Sequence, residues 1–183
     1  MMVHRFLLAT GLLMALTAGA ASAEGLELAA DQSKIDFTGT KPDGKHDGGF
    51  KKFDAVADIN PSNPLDGSLV IEIDTTSLWS DNEKLTNHLK NPDFFDVRKF
   101  PKIKFESIEM KPGKERNQGI MKAKMTMLGK TQEVEMPLTC VVDGSLVKLT
   151  SDFKIDRTRW GMTYGQGRVD NDVAIRATLV FKQ

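Results

Sequence analysis

The chain has 183 residues, with 25 Lys and Arg set against 25 Asp and Glu, and a single Cys. A formal charge of zero excludes the strongly basic footprint of a nucleic-acid binder. One Cys excludes an internal disulfide framework and a multi-cysteine zinc site, and the length fits one domain with a real core.

The first residues carry an address. His4 and Arg5 open a short basic start, residues 6–16 are almost wholly apolar, and Ala21-Ser22-Ala23 supplies the small residues of a cleavage site. This three-part layout predicts a secretory signal peptide over residues 1–23, cut after Ala23. The apolar run is shorter than the roughly 20 residues of a spanning helix. The expected mature chain is therefore one domain over residues 24–183, beginning at Glu24, periplasmic or secreted, with no transmembrane segment.

Beyond residue 23 the dominant period is two. Ile35 and Phe37 alternate with polar neighbours, as do Phe53, Ala55, Ala57 and Ile59, then Leu69, Ile71 and Ile73. The pattern resumes at Ile103 and Phe105, at Met121, Ala123, Met125 and Met127, and from Val134 through Cys140 to Val142. Ser151, Phe153 and Ile155 repeat it, and Val173 to Phe181 closes the series. One apolar and one polar face per segment predicts about eight half-buried antiparallel strands. Turn signals separate them at Pro42-Asp43-Gly44, Asn60-Pro61, residues 64–67, Pro112-Gly113, Gly129-Lys130 and Asp143-Gly144. Residues 128–131 and 142–145 read as tight hairpins, the second with the Asp-Gly pair of a type I′ turn. About eight such strands close into a barrel able to hold one small ligand; a two-sheet sandwich carries the same pattern.

One segment breaks the period. Ser80-Asp81-Asn82-Glu83 has the form of a capping box, and Leu85 and Leu89 then share a helical face. Asn91-Pro92 stops this helix and starts another short turn, followed by the adjacent aromatics Phe94 and Phe95. The expectation is an all-β fold with a short helical insert at one barrel end.

Catalytic signatures are sparse. His46 and His88 are the two histidines past residue 23, one in a glycine-rich stretch read as a flexible loop, the other on the polar side of the helix. Both are expected to be solvent-exposed. No metal-ligand pattern, phosphate-binding glycine loop or nucleophile elbow occurs, so no catalytic residue and no metal ligand is assigned. The same stretch holds nine Phe and six Met, which suits either a filled core or a ligand-lined cavity. Cys140 reads as a buried, inert thiol. Residues 157–167, with Trp160 and Tyr164 between glycines, read as a lid or binding loop; Trp160 as a plain core plug fits equally.

These residues also carry a resemblance. Residues 87–107, reading Asn-His-Leu-Lys-Asn-Pro-Asp-Phe-Phe-Asp-Val-Arg-Lys-Phe-Pro-Lys-Ile-Lys-Phe-Glu-Ser, closely resemble the YceI-like family. Residues 126–134 and 155–162 match further motifs. The resemblance implies an eight-stranded antiparallel, lipocalin-like barrel that holds a polyisoprenoid, such as the tail of an isoprenoid quinone, in an apolar tunnel. It makes Leu89, Phe94, Phe95, Phe105, Met127 and Trp160 candidate wall residues. Phe37, Phe53, Leu85, Met125 and Phe153 join them as candidate ligand-binding residues from the apolar faces. It implies an isoprenoid lipid or quinone as ligand, no obligatory cofactor and no enzymatic activity; a homodimer is compatible with it. Two other readings remain open, an enzyme acting on a quinone or lipid head group through His46 or His88, and an interaction protein with a filled barrel. One departure stands out: members often open with Asp-x-x-His-Ser-x-Ile, whereas Asp31-Gln32-Ser33-Lys34-Ile35 lacks that His.

Overall fold

The computed structural model describes residues 26–60 and 63–182. The predicted leader and its cleavage site lie outside the described residues.

All eight expected strands form, but the described chain has eleven strand segments, not eight. They are β1 (Glu27–Leu28), β2 (Lys34–Lys41), β3 (Gly44–Phe50), β4 (Phe53–Asn60), β5 (Asn63–Asp74) and β6 (Leu78–Ser80), then, after helix α1 (Glu83–Leu89), β7 (Lys102–Pro112), β8 (Gln118–Met127), β9 (Lys130–Asp143), β10 (Leu146–Asp156) and β11 (Asp172–Lys182). Missed from the sequence were β1, β3 and β6. They belong to one antiparallel sheet in the order β4-β5-β7-β8-β9-β10-β11-β2-β3-β6, with β1 on β11. A single sheet removes the sandwich alternative.

The surplus strands come from a bend. β3 and β4 are one run interrupted at Lys51 and Lys52, and β5 and β6 are its partner run, interrupted by a 3₁₀ turn at Thr75–Ser77. Phe50 pairs with Leu78 on one side of the bend and Phe53 with Ile73 on the other. The two-stranded ribbon therefore joins the sheet twice, through β3 on β2 and through β5 on β7, and the sheet curls round. β1 fastens the other end: Leu28 pairs with Phe181, and the Leu26 amide donates to the Ala57 carbonyl at 2.8 Å.

β3 was read as a loop because of Gly44, Gly48 and Gly49, and packing explains the last two. A Cβ on Gly48 would lie 2.5 Å from Phe37 Cζ and 2.6 Å from the Trp79 carbonyl oxygen; one on Gly49 would lie 2.7 Å from the Ile35 carbonyl oxygen. Glycine lets β3 press between β2 and β6. Residues 64–67 were expected to turn, yet they lie within β5.

Two hairpins form as short loops. Leu128 and Gly129, both with positive φ (53° and 72°), make the two-residue connection of β8 to β9. In the β9–β10 hairpin the loop is Gly144-Ser145, with positive φ at Gly144 alone. That is the φ pattern of type II′, not the expected type I′. The β9–β10 ladder ends at Thr139–Thr150, two residues beyond Pro137, which has no amide hydrogen to give. Below it the two strands fork, bridged by Ser151 Oγ donating to the Pro137 carbonyl at 2.6 Å.

The inward faces form the core. Leu69, Met121, Ala123, Val147, Leu149 and Phe181 are almost wholly buried. Cys140 is buried among them, and burial pushes its thiol pKa up.

Two predictions follow from this packing. A Cβ on Gly67 would collide with the Asp58 carbonyl oxygen, beside the β4–β5 register shift at Ile59/Asn60. Gly67→Ala is expected to cost about 1–3 kcal/mol, read as a lowered denaturant midpoint. The second concerns acid. Asp74 and Asp156 each cap a 3₁₀ turn, accepting from the backbone amide and hydroxyl of Thr76 and Thr158 respectively. These bonds, the Thr hydroxyls' first, hold both carboxylates below their ordinary pKa. Their contribution is full above the unfolded carboxylate range and is lost as pH falls below about 4. An Asp74→Asn, Asp156→Asn double variant is expected to show a shallower fall of Tm over that window in thermal melts.

Candidate functional site

A cavity of about 210 Å³ runs inside the curled sheet. Its walls come from inward positions of β2, β5, β7, β8, β9, β10 and β11, including Ile71, Ile73, Ile103, Leu138, Leu149 and Ile175. Isoleucine, leucine and methionine dominate because those positions are the apolar half of each alternating strand. At the β2–β3 hairpin end the lining changes to Gly39, Thr40, Lys41, His46 and Arg157.

That end is capped by α1, the turns that follow it, and the segment after β10. The helix starts two residues later than the expected capping box: Asn82 is the N-cap, its side chain accepting from the Leu85 amide at 3.0 Å. Ser80 Oγ instead bonds the Thr86 hydroxyl and the Asn82 carbonyl. The Phe95 amide donates to the Leu89 carbonyl, and the Phe94 and Asp96 amides donate to that of Asn91. These bonds turn the two aromatic rings into different clusters. Phe95 stacks with Phe37 and Phe50 at centroid distances of 6.3 and 5.7 Å. Phe94 meets His88 and Tyr164 at 5.0 and 5.3 Å, joining α1 to the loop after β10.

Arg157 organises that loop. It is 3% exposed, yet among the described residues no carboxylate bonds its guanidinium. Its three nitrogens donate to the carbonyls of Asp170, Met162 and Val169. Burial pushes its pKa below the ordinary arginine value, with Asp156 acting against the shift. The planar fork reaches carbonyls from both ends of the loop at once, which a lysine cannot do.

Nine of the eleven residues singled out in the sequence line the cavity: Phe37, Leu85, Leu89, Phe94, Phe95, Phe105, Met125, Met127 and Phe153. Two do not. Phe53 stands just past the Lys51–Lys52 bend and borders a separate hollow with Ser33, Asp36 and Trp79. Trp160 is 1% exposed, outside the lining, with its indole N–H donating to the Met125 carbonyl at 3.0 Å. It is a core plug beside the β9–β10 fork. Sequence reasoning missed Phe50 because of the glycines before it, and Arg157 because a buried charge leaves no periodic signal.

The histidines are not fully solvent-exposed as expected, and His46 lies in a strand. His46 Nδ1 stands 2.9 Å from Asp81 Oδ1, and His88 Nε2 stands 3.0 Å from Asp93 Oδ2; both rings are half-buried. Asp81 also accepts the Asp47 amide, and these bonds, the amide's first, lower its pKa. Among the described residues, no group of three or more His, Cys, Asp or Glu is placed to hold a metal ion.

The model of the YceI-like domain matches residues 26–181. The chain belongs to the YceI-like family. A UPF0312 protein of Pseudomonas putida (strain GB-1) is 32% identical over 92 residues, 50% of this chain and 47% of the relative. A UPF0312 protein of Vibrio cholerae serotype O1 is 32% identical over 87 residues, 48% of this chain and 46% of its own length. The chain thus spans about half the length of the curated relatives it matches. Among solved structures, Burkholderia cenocepacia BcnA superposes with a TM-score of 0.78 at 24% identity, over 84% of this chain and 99% of that one. A polyisoprenoid binding domain from Saccharophagus degradans gives 0.69 at 11% identity, over 86% and 98%. At these identities the likeness is one of fold, all-β and lipocalin-like.

Arg157 yields the prediction here. Arg157→Ala strands three carbonyls and is expected to cost about 3 kcal/mol. Arg157→Lys should recover little of it, with faster proteolysis of the loop between Arg157 and Asn171 as the second readout.

Proposed function

We propose that this protein is an exported, non-enzymatic carrier or storage protein that holds a polyisoprenoid chain in the barrel cavity. The observation that carries the reading is the cavity itself, lined mostly by apolar side chains, with Thr150 and Ser151 as polar lining on β10 and the remaining polar lining at the β2–β3 hairpin end. Transfer of prenyl carbon out of water is worth about 0.8 kcal/mol per CH₂-sized group, so a long tail needs few polar contacts even after the cost of immobilising it. The fold likeness to a polyisoprenoid binding domain supports the same ligand class. The leader-like residues 1–23 support export to the periplasm. An unfilled interior favours a ligand over a barrel packed solely by its own side chains. The reading calls for no cofactor beyond the lipid.

Native mass spectrometry of protein purified from its own envelope compartment, with analysis of the organic extract, tests this. A stoichiometric prenyl lipid is expected. Protein that is empty and also refuses long prenyl chains on titration overturns it. In the same assay Phe105→Gln and Met127→Gln, which bury an amide with no partner, are expected to lower lipid content at least about tenfold while the β-sheet circular dichroism persists. Unchanged content in the folded variants removes these two residues from the wall.

A further inference from the structure

The polar end of the cavity has its own construction. His46 faces inward from β3, opposite Gly39 on β2. The next inward pair along the hairpin is Phe37 opposite Gly48, and there the ring fills the space over the glycine. Over Gly39 nothing does among the described residues: a Cβ built there has no atom within 4 Å outside its immediate chain neighbours. The hairpin therefore holds an open slot beside the His46 ring.

The ring's orientation is set. Its Nδ1 bonds Asp81, a carboxylate that can only accept, so Nδ1 carries the hydrogen and the neutral ring offers Nε2 as an acceptor. The two lysines of the hairpin and the buried Arg157 are already engaged. Lys41 pairs with Asp43 at 3.3 Å and Lys45 with Asp47 at 3.6 Å, while Arg157 is spent on carbonyls. Asp81, Asp47 and Asp170 add negative charge, the last two held by Thr38 and Thr40 hydroxyls at 2.6 Å. A phosphorylated head would meet these carboxylates, while the two hairpin lysines are already paired with Asp43 and Asp47.

We infer that the slot over Gly39 receives an uncharged, hydroxyl-bearing head group whose O–H donates to His46 Nε2. This inference rests on the carrier reading and names the head that the cavity selects.

The test is titration of the purified protein, in mildly alkaline buffer, with four ligands sharing one prenyl chain: the alcohol, its methyl ether, its monophosphate and the parent hydrocarbon. The alcohol is expected to bind about tenfold more tightly than the ether, and the phosphate more weakly than the alcohol. His46→Leu should reduce the alcohol to the level of the ether without changing the hydrocarbon. His46→Gln, whose amide oxygen still accepts, should restore part of the preference. Gly39→Leu, which fills the slot at a position with ordinary φ, should also erase it. A phosphate that binds more tightly than the alcohol, or a preference untouched by His46→Leu, overturns the inference while leaving the carrier reading intact. Loss of hydrocarbon binding by the unaltered protein overturns the carrier reading itself.

Discussion

The bend at Lys51 and Lys52 decides the shape of the molecule. It is held by backbone groups on both runs of the ribbon: the Lys51 amide donates to the Ser77 carbonyl, the Lys52 amide to Ser77 Oγ, and the Asp74 amide to the Lys52 carbonyl. A ribbon that continued straight would leave β2 and β7 on distant edges of an open sheet. Bent, it offers one edge to each. Every inward side chain on the other strands then points at a common axis, and the alternation they share becomes a tube instead of a surface. The cavity is a product of this closure more than of any single wall residue.

Alternation made eight strands legible because burial on one face leaves a period-two trace in the residues. The same trace exposed five of the nine cavity-lining positions, Phe37, Phe105, Met125, Met127 and Phe153. It failed where another demand on the residue outranked burial. β3 carries glycine at 48 and 49 because neighbouring backbone and the Phe37 ring approach too closely for a side chain, and glycine reads as a loop. β1 and β6 have two and three residues, too few to show a period. Phe53 has the right parity but sits beyond a bend that parity cannot reveal. Trp160 is apolar and buried, yet its N–H is committed to a backbone carbonyl, so it plugs a seam and leaves the cavity to others. The resemblance in residues 87–107 reached what periodicity could not, since that stretch builds the cap through turns.

The capped end and the apolar interior obey different physics. Inside, non-directional burial suffices, and Met121, Met125 and Met127 supply adaptable surface. At the cap, hydrogen bonds fix the key polar groups: Asp74 and Asp156 end their strands with the same Thr-directed turn, Arg157 gathers a loop on three carbonyls, and both histidines are steered by aspartates. No buried side-chain nitrogen or oxygen is left without a bond among the described residues. The cap is thus specified by hydrogen bonds and the tube by shape.

Pro137 gives the wall a mechanical grain. Parting β10 from β11 means breaking a ladder that runs the whole length of β10. Parting β9 from β10 below the proline means breaking the Ser151–Pro137 bond and lifting the Arg157–Trp160 turn, whose Arg159 and Trp160 reach the Glu133 and Met125 carbonyls. Local opening follows the line with the fewest backbone bonds. The forked stretch of β9 and β10 is therefore one line along which this barrel opens locally, a sleeve with a buttoned side.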